Sequence, residues 1–439
     1  MYLSLVPYLG LAYSGFATAA TINLTTPSLG FPQSMEQSWA QYSPYFPVDT
    51  YQAPPDGCSV TQVNLLQRHG ARYPTSSDGK SIKKSVKQLQ GASNFSSPLE
   101  FVKNFTYDLG KSDLVPYGAA QSYDAGQLHY ARYSGLISGS ELPFVRASDS
   151  ERVVMSALNW TAGFAAASDK QFSPVLSVII SESGNDTLDD NMCTNAGNSD
   201  NQTAAWLSVF APSIADRLNT DAPGADLSLD DIANLMSLCP FETVANEAPS
   251  PFCNIFTTDE WASYEYYGDV GDYYGTGYGQ ELGPVQGVGY VNELIARLTD
   301  EPVQDETQTN STLDSSPITF PLNRTFYADF THDTEMIAIY SAIGLFNQTS
   351  PLDLSQPNPN RTWILSQMVP FSARMITEKL QCNTNGETGN YIRILVNDAV
   401  QSLGFCGDTG NGLCEVDAFV ESQQFATSNG DGEWENCFS

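Results

Sequence analysis

Short apolar runs alternate with helical stripes along most of the chain. Residues 59–67, SVTQVNLLQ, form a β-rich run, and in residues 77–90 the side chains of Ile82, Val86 and Leu89 fall on one helical stripe. The same patterns predict further strands at 141–148, 172–183, 324–331, 367–382 and 390–403. They also predict further helices at 117–133, 150–167, 288–300 and 335–346. Strands that alternate with helices indicate an α/β fold with a mainly parallel sheet.

The alternation is interrupted between residues 185 and 283. This stretch contains Asp, Asn and Ser runs, helical pieces such as DDIANLMSLC, and a Tyr- and Gly-rich segment at 264–280. We interpret the acidic and Asn-rich runs as solvated loops, the Tyr- and Gly-rich segment as a loop, and the whole stretch as an inserted, largely helical cap. The predicted organisation is a signal at 1–20, an irregular surface arm at 21–57, an α/β domain in two parts at 58–184 and 284–439, and the cap at 185–283.

Composition restricts the possible partners. The chain has 439 residues, 41% of them hydrophobic, which is enough to bury a large core. Its formal net charge is −31, with 19 basic residues against 50 acidic ones. Nucleic acid is excluded as a partner, because its phosphate backbone requires a basic surface. After the N-terminal segment no apolar run is long enough to cross a membrane, so we expect no membrane span, and we expect a monomer.

The N-terminus and the glycosylation sequons indicate export. Residues 1–20 are apolar and end in small residues, and 17–19 match an A-x-A cleavage pattern. A membrane anchor is the alternative, which Pro7, Gly10 and the shortness of the run disfavour. Ten N-x-[ST] sequons predict a glycosylated, extracellular protein, and they begin at Asn23, Asn94, Asn104, Asn159, Asn185, Asn201, Asn310, Asn323, Asn347 and Asn360.

The cysteines also fit an oxidising compartment. They number eight, no C-x₂-C pair occurs, and the chain has only three histidines, so disulfides are a better interpretation than a metal site. Sequence proximity suggests two local pairs, Cys239–Cys253 and Cys406–Cys414. Proximity leaves the pairing of four cysteines open: Cys58, Cys193, Cys382 and Cys437.

The scarce positive charge is concentrated around one histidine. Arg68 is the first basic residue of the chain, it adjoins His69, and Arg72 follows in the same segment, LLQRHGARYPT. Two guanidinium groups lower the pKa of a neighbouring imidazole unless an anion is present, which favours an anion site over a packed core histidine. Planar guanidinium groups bind phosphate oxygens two at a time, so phosphate is a fitting anion.

A second histidine occurs in the same context. His332 follows a predicted strand and precedes Asp333 and a helix, and Arg146 follows the apolar run LPFV. Because the carboxyl ends of parallel strands meet at one edge of a sheet, we predict that all three lie near His69. For a single strand-end arginine the alternative is an ordinary surface charge. His129 lies inside a predicted helix, and we interpret it as a hydrogen-bonded core residue.

Two signatures identify a family resemblance. RHGARYP at 68–74 resembles the R-H-G-x-R-x-P signature of the histidine acid phosphatases, and FTHDTEM at 330–336 resembles their H-D pair. Segments at 115–121, 146–157 and 282–299 also resemble the secreted fungal phytases of that family, and the resemblance extends from about residue 40 to the C-terminus. The family implies an α/β domain like that of phosphoglycerate mutases, with a smaller, largely helical inserted domain.

The resemblance also implies a reaction, the hydrolysis of a phosphomonoester through a phosphohistidine. His69 would be the nucleophile, and Asp333 would donate a proton to the leaving alcohol. The phosphoryl oxygens would be held by Arg68, Arg72, Arg146 and His332. No metal and no cofactor is implied. For the four unassigned cysteines the resemblance implies the pairs Cys58–Cys382 and Cys193–Cys437.

The fungal branch implies phytate, myo-inositol hexakisphosphate, as the substrate, with the 6- or 3-phosphate leaving first. Several fungal phytases contact phytate through lysines in the cap, whereas this cap has Asp269 and Asp272 at 264–280 and no lysine there. The lysines after the signature, Lys80, Lys83 and Lys84, either bind substrate or line a helix surface. A broad-specificity acid phosphatase is the alternative function. A non-catalytic binding protein is disfavoured, because a binder needs neither nucleophile nor proton donor.

Overall fold

A computed structural model describes residues 24–384, 387–408, 410 and 412–439. The predicted signal at 1–20 and the sequon at Asn23 lie outside the described residues. The strands are β1 Cys58–Arg68, β2 Phe144–Ser148, β3 Leu176–Ile180, β4 Phe326–Thr331, β5 Arg374–Thr384, β6 Glu387–Val396, β7 Ala399–Val400 and β8 Cys414–Glu415.

The α-helices match the predicted helical segments and add several more. They are α1 Gln33–Glu36, α2 Ser76–Gln90, α3 Pro116–Tyr133, α4 Glu151–Ala167, α5 Asp200–Asp221, α6 Leu229–Asn246, α7 Thr258–Gly275, α8 Val288–Thr299, α9 Ser311–Asp314, α10 Asp333–Ile343, α11 Leu365–Met368, α12 Val416–Ser422 and α13 Gln424–Thr427. Short 3₁₀ turns lie at Ala40–Tyr42, Leu99–Asn104, Ser134–Leu136, Pro251–Ile255, Pro284–Gly287, Gly404–Cys406 and Glu433–Cys437. In the part of the chain that the structure describes, no helix is long and apolar enough to cross a membrane.

One mixed sheet contains all the strands, in the order β3-β2-β4-β1-β5-β6-β7, with β8 paired to β6. The four strands β3, β2, β4 and β1 are parallel neighbours, and β5 to β8 are added in antiparallel fashion. The predicted α/β fold is confirmed, and the parallel half carries both histidine motifs. The late strands are antiparallel because only two residues separate β5 from β6, too few for the crossover that a parallel pair requires.

The sheet is covered by helices on both faces. Alternate residues of β1 point to opposite sides, so that Leu65 joins one hydrophobic cluster and Leu66 the other. The first cluster includes Trp160 of α4, and the second includes Ile337 of α10. His129 is buried on the α3–α4 side, where its Nδ1 accepts a hydrogen bond of 2.9 Å from Trp160 Nε1, which confirms it as a core histidine.

The Tyr- and Gly-rich segment is helical up to Gly275, so the prediction of a loop was wrong. Thr257 and Glu260 form a capping box at the start of α7, and the helix buries several aromatic side chains. At Gly268 an added Cβ would lie 2.3 Å from the Cβ of Ala40, so the glycine permits a close approach. Tertiary packing therefore outweighs the low helix propensity of glycine here.

The N-terminal arm is not a surface segment throughout. Trp39 and Ala40 are fully buried, and the Trp39 ring packs edge-on against Trp261 of α7 at a centroid distance of 6.4 Å. Ala40 N donates a hydrogen bond of 2.7 Å to Glu265 of the same helix. The prediction was wrong for this part of the arm because the chain passes under α7 and brings Gln41 and Tyr42 close to the end of β1.

Four disulfides are present, and they are the predicted ones: Cys58–Cys382, Cys193–Cys437, Cys239–Cys253 and Cys406–Cys414. Cys58 and Cys382 are direct neighbours across β1 and β5. Cys193 and Cys437 connect the segment after β3 to the C-terminal tail. The first long-range disulfide thus fastens the start of β1 to β5, and the second fastens the segment after β3 to the C-terminal tail.

Candidate active site

The backbone at the end of β1 fixes the first histidine between two other segments. His69 N donates a hydrogen bond of 3.0 Å to Thr331 O at the end of β4, and His69 O accepts one of 2.9 Å from Ser372 N. The next residue is Gly70 because α3 passes directly against it. A Cβ at Gly70 would lie 2.2 Å from Gly118 O, which no side chain tolerates. The hydrogen bond between His69 N and Thr331 O thus brings both histidine motifs to one edge of the sheet.

The imidazole of His69 is oriented for nucleophilic attack. Its Nδ1 lies 2.8 Å from Gly70 O, and because a carbonyl only accepts hydrogen bonds, Nδ1 carries the proton. The lone pair of Nε2 is therefore free. Burial, followed by the charges of Arg68, Arg152 and Arg72, places the pKa of His69 well below 6.5. The ring stays neutral, and hence nucleophilic, in mildly acidic solution.

The second motif is placed against the first. His332 is the N-cap residue of α10, and its ring centroid lies 5.7 Å from that of His69. Asp333 Oδ2 lies 2.6 Å from an Arg68 guanidinium nitrogen. Burial raises the pKa of Asp333, but the charges of Arg68, Arg72 and His332 outweigh burial and hold this pKa below 3.8. In the absence of substrate, Asp333 is an ion-paired carboxylate.

Arg68 and Arg72 differ in how firmly they are held. Arg68 stacks over the ring of Phe371 at 4.7 Å and donates a hydrogen bond of 2.5 Å to Val369 O and another to Gln41 O. Arg72 donates to Tyr73 O at 3.0 Å. Among the described residues, no carboxylate lies within ion-pair distance of Arg72. Its charge is thus available to an anion beside His69.

The structure does not bring Arg146 to the histidines. Arg146 lies in β2 opposite Asp329 of β4, two positions before the strand ends at Ser148. Its Nε is 2.8 Å from Asp329, and its two terminal nitrogens are 3.0 and 2.5 Å from the Glu293 oxygens. Arg297 binds the same Asp329 at 2.6 Å. We therefore correct the prediction that Arg146 holds phosphate, because carboxylates occupy all of its guanidinium nitrogens.

Arg152 occupies the place predicted for Arg146. It is the second residue of α4, and one terminal nitrogen lies 3.2 Å from His332 Nδ1. Among the described residues it has no carboxylate at ion-pair distance, and its charge contributes to the low pKa of His69. The sequence signal was the turn after β2, SDSERV, since a residue in the first helical turn projects beyond the carboxyl edge of the sheet.

Replacing each of these two arginines should have a different effect. We expect Arg152→Ala to lower kcat/KM by about 10²–10³-fold, because a preorganised cation at the phosphoryl group is lost. We expect Arg146→Ala to lower the free energy of unfolding by about 3–5 kcal/mol, because it leaves buried carboxylates unpaired. Phosphate-release kinetics and chemical denaturation measure the two. A larger loss of kcat/KM in folded Arg146→Ala than in Arg152→Ala would restore the first assignment.

The acidic run after β3, which contains Asp186 and Asp189, is buried beside His332. Its interpretation as a solvated loop was therefore wrong. Asp186 and Asp189 are 1% and 6% exposed. Glu182 Oε1 accepts a hydrogen bond of 2.8 Å from His332 Nε2. Burial raises the pKa of Asp186 to about 7 and that of Asp189 to about 8. The run enters the site because Ser148 at the end of β2 binds Asp186 at 2.8 Å.

Asp269 and Asp272 of α7 have separate roles. Asp269 is structural, because its carboxylate accepts 2.7 Å hydrogen bonds from Arg361 Nε and from Leu365 N. Asp272 has a buried Oδ2 with no hydrogen-bond partner. Burial and the charge of Asp333, opposed by Arg68, raise the pKa of Asp272 to about 8. Asp272 therefore lies within electrostatic reach of the catalytic edge and is protonated in acid.

The three lysines after the signature lie on the exposed side of α2. Lys83 Nζ is 6.0 Å from the ring centroid of Tyr107. Lys84 lines a cavity of about 340 Å³. That cavity shares Asn234 and Tyr267 with a neighbouring cavity of about 180 Å³ that is also lined by Gln41, Tyr42 and Phe241. Because Phe241 lies under Arg72 at 5.7 Å, Lys84 lines a cavity that adjoins the one next to Arg72.

Together these groups define a site for phosphoryl transfer to a histidine. It combines a neutral imidazole with a free Nε2, two guanidinium groups that lack carboxylate partners, a second histidine and a carboxyl group for proton transfer. Residues 59–397 match the Histidine phosphatase superfamily (branch 2). The chain belongs to this family.

Known relatives are similar over nearly the whole chain. Phytase A of Aspergillus oryzae is 43% identical over 425 residues, which cover 91% of this chain and 90% of that protein. Phytase A of Arthroderma benhamiae is 40% identical over 94% of both chains. The crystal structure of a phytase from D. castellii superposes with a TM-score of 0.74 at 24% identity, covering 90% of this chain and 85% of that one. This last likeness shows the fold alone.

Proposed function

We propose that this chain, a phosphoric monoester hydrolase, removes phosphate from phytate through a covalent phosphohistidine at His69. The observation that supports the proposal most strongly is the 2.8 Å contact of His69 Nδ1 with Gly70 O, because it leaves Nε2 unprotonated beside free guanidinium groups. A binding protein would need the cations but not an imidazole held in this tautomer.

In the first step, Nε2 of His69 attacks phosphorus as the bond from phosphorus to the ester oxygen breaks. Arg68, Arg72, Arg152 and His332 surround the equatorial oxygens and stabilise the charge there. Asp333 receives a proton from the bound phosphate monoanion and passes it to the leaving oxygen, so that an alcohol departs rather than an alkoxide.

In the second step, water replaces the imidazole. The Asp333 carboxylate accepts a proton from the water as the water oxygen bonds to phosphorus and the P–N bond breaks. Inorganic phosphate leaves with the proton that Asp333 took from water, His69 is regenerated with its Nδ1 proton in place, and Asp333 returns to its ion pair with Arg68. Over one cycle the proton that the substrate brings is replaced by the proton from water that leaves with inorganic phosphate, so atoms and protons balance.

Phytate as the substrate is supported by the Phytase A relatives and by the exposed Lys80, Lys83 and Lys84 of α2, of which Lys84 lines a cavity beside the one next to Arg72. We propose that these lysines bind the phosphates that are not being cleaved. Asp272, in contrast, places a carboxyl group near the catalytic edge, and a carboxyl group does not attract the additional phosphates of phytate. This observation favours the second candidate, a phosphatase of broader specificity. The two candidates use the same catalytic groups and differ only in what surrounds the scissile phosphate.

Chromatography of the early products distinguishes the candidates. The purified chain is incubated with phytate and, separately, with 4-nitrophenyl phosphate at pH 5. We expect a single dominant inositol pentakisphosphate, from loss of the 6- or 3-phosphate, and a higher kcat/KM for phytate. Higher efficiency on the aryl phosphate with mixed pentakisphosphates would favour the broad phosphatase. No phosphate from either compound would contradict both.

We also propose that the protein is exported, N-glycosylated and monomeric. Four disulfides support an oxidising compartment. Several sequon asparagines are exposed and accessible to glycans, namely Asn94, Asn104, Asn185, Asn201, Asn323, Asn347 and Asn360. Peptide mass mapping of the secreted chain before and after deglycosylation tests the glycans, and light scattering tests the monomer.

A further inference from the structure

The peptide group that follows the nucleophile is held on both sides. Its carbonyl, Gly70 O, lies 2.8 Å from His69 Nδ1 and accepts the proton of that nitrogen in a hydrogen bond. Its N–H, which belongs to Ala71, donates a hydrogen bond of 3.0 Å to Gln121 Oε1. A trans peptide group is planar, and its C=O and N–H point in opposite directions. The side chain of Gln121 therefore fixes the direction in which Gly70 O points.

Helix α3 brings Gln121 against this peptide group. Gly118 and Gln121 are three positions apart, so they lie on the same face of the helix. A Cβ at Gly118 would lie 2.1 Å from Ala71 O and 2.5 Å from Ala71 N, so only glycine permits this approach. The close contact at Gly118 places the longer side chain of Gln121 within reach of Ala71 N.

The preceding peptide group is fixed separately. Gly70 N donates a hydrogen bond of 3.0 Å to Ser156 Oγ, and His69 O accepts one of 2.9 Å from Ser372 N. The loop is thus anchored just before the peptide group that holds His69 Nδ1, and the freedom that remains is rotation of that next peptide group. Glycine allows such a rotation more readily than other residues because it has no Cβ.

Packing alone does not explain a glutamine at position 121. The side chain is 4% exposed, and among the described residues its Nε2 has no hydrogen-bond partner. A buried amide that leaves a polar group unpaired destabilises the fold relative to an apolar side chain of similar size. The polar side chain is explained by its oxygen, which Ala71 N–H requires as an acceptor.

We propose that Gln121 is a positioning residue that keeps the proton of His69 on Nδ1 and so leaves Nε2 free to attack phosphorus; this inference rests on the proposed phosphohistidine mechanism. Without an acceptor at position 121, the peptide group can turn over and present Ala71 N–H, instead of Gly70 O, to the ring. Nδ1 then accepts a hydrogen bond, so the proton moves to Nε2, which can no longer attack. The guanidinium groups that bind phosphate are not part of this peptide group.

The tautomer of His69 can be measured directly. The chain has only three histidines, so labelling with ¹⁵N-histidine gives few imidazole signals, and His69→Ala identifies those of His69 by their loss. Two-bond ¹H–¹⁵N correlations at pH 7, where His69 is neutral because its pKa lies well below 6.5, show which nitrogen carries the proton. We expect the proton on Nδ1 in the parent, and partly or mainly on Nε2 in Gln121→Leu.

Steady-state kinetics on phytate and on 4-nitrophenyl phosphate gives the second readout. We expect Gln121→Leu to lower kcat by about 10–10²-fold and to change KM by less than about threefold, because the reactive tautomer becomes scarce while phosphate binding remains. Circular dichroism checks the folding of each variant. If Gln121→Leu does not fold, Gln121→Met, which is closer to glutamine in length, takes its place in both measurements.

Ser122→Ala is the matched control. Ser122 is fully buried at the next position of α3, but its Oγ donates to Gly118 O of the same helix at 3.1 Å. We expect the parent tautomer and a kcat within about threefold of the parent. The proposal is overturned if the folded variant at position 121 keeps the proton on Nδ1 or keeps the parent kcat, or if Ser122→Ala changes the tautomer as well. Because the tautomer is measured without substrate, an inactive parent would contradict the proposed function while the spectra still test Gln121.

Discussion

His69→Ala should lower phosphate release from every phosphomonoester by about 10⁴-fold or more, because the only group that can form the covalent intermediate is removed. The loss should fall on kcat, since the guanidinium groups that bind phosphate remain. Initial rates on phytate and on 4-nitrophenyl phosphate measure the effect. A variant that keeps a tenth of the activity would place the nucleophile elsewhere.

His129→Gln is the matched control for this substitution. His129 is as deeply buried as His69, but its Nδ1 only accepts a hydrogen bond from Trp160, which a glutamine oxygen can also accept. We expect its kcat to stay within about threefold of the parent, although stability falls. Alkaline quenching of the parent during turnover of a ³²P-labelled substrate should trap label on the peptide that contains His69, and His69→Ala should show none.

The position of the catalytic edge could be predicted from local sequence. A strand followed by R-H-G and a strand followed by H-D must both end at the same side of a parallel sheet, and the structure places His69 and His332 together there. The disulfide Cys58–Cys382 was predictable only by resemblance. Its partners are 324 residues apart and meet through an antiparallel pairing that no local pattern specifies.

The error at Arg146 has a physical cause. Both Arg146 and Arg152 follow an apolar run, and local sequence does not show that Asp329 and Glu293, more than 140 residues later, meet Arg146 in the interior. The same limit applies to the acidic run. Asp189 looks solvated in sequence, and only the fold places it against His332. In both cases the side chain is placed by contacts with charged residues that are far away in the sequence.

The pH dependence follows from the shifts at the site. The pKa of His69 lies well below 6.5, so the nucleophile is active in acid. In the free protein, Arg68 holds the pKa of Asp333 below 3.8, so the proton for the leaving group must arrive with the substrate, whose second phosphate pKa is about 6. Asp272 and Asp189 have pKa values of about 8, so both are neutral in acid. As the pH rises through about 8 they become negatively charged and repel phosphate. We therefore expect kcat/KM to be highest at about pH 4–6 and to fall on the alkaline side.

Asp333→Asn should reveal the proton donor through its dependence on the leaving group. An inositol alkoxide is a poor leaving group and needs the proton, so kcat/KM on phytate should fall by about 10²–10⁴-fold. A nitrophenolate leaves unaided, so the loss on 4-nitrophenyl phosphate should stay below about tenfold. Asp272→Asn is the matched control: it changes charge at the same edge without moving a proton, so it should alter both substrates alike and extend activity to higher pH. Equal losses on the two substrates in Asp333→Asn would remove Asp333 as the proton donor, because an electrostatic or structural defect has no reason to distinguish a good leaving group from a poor one.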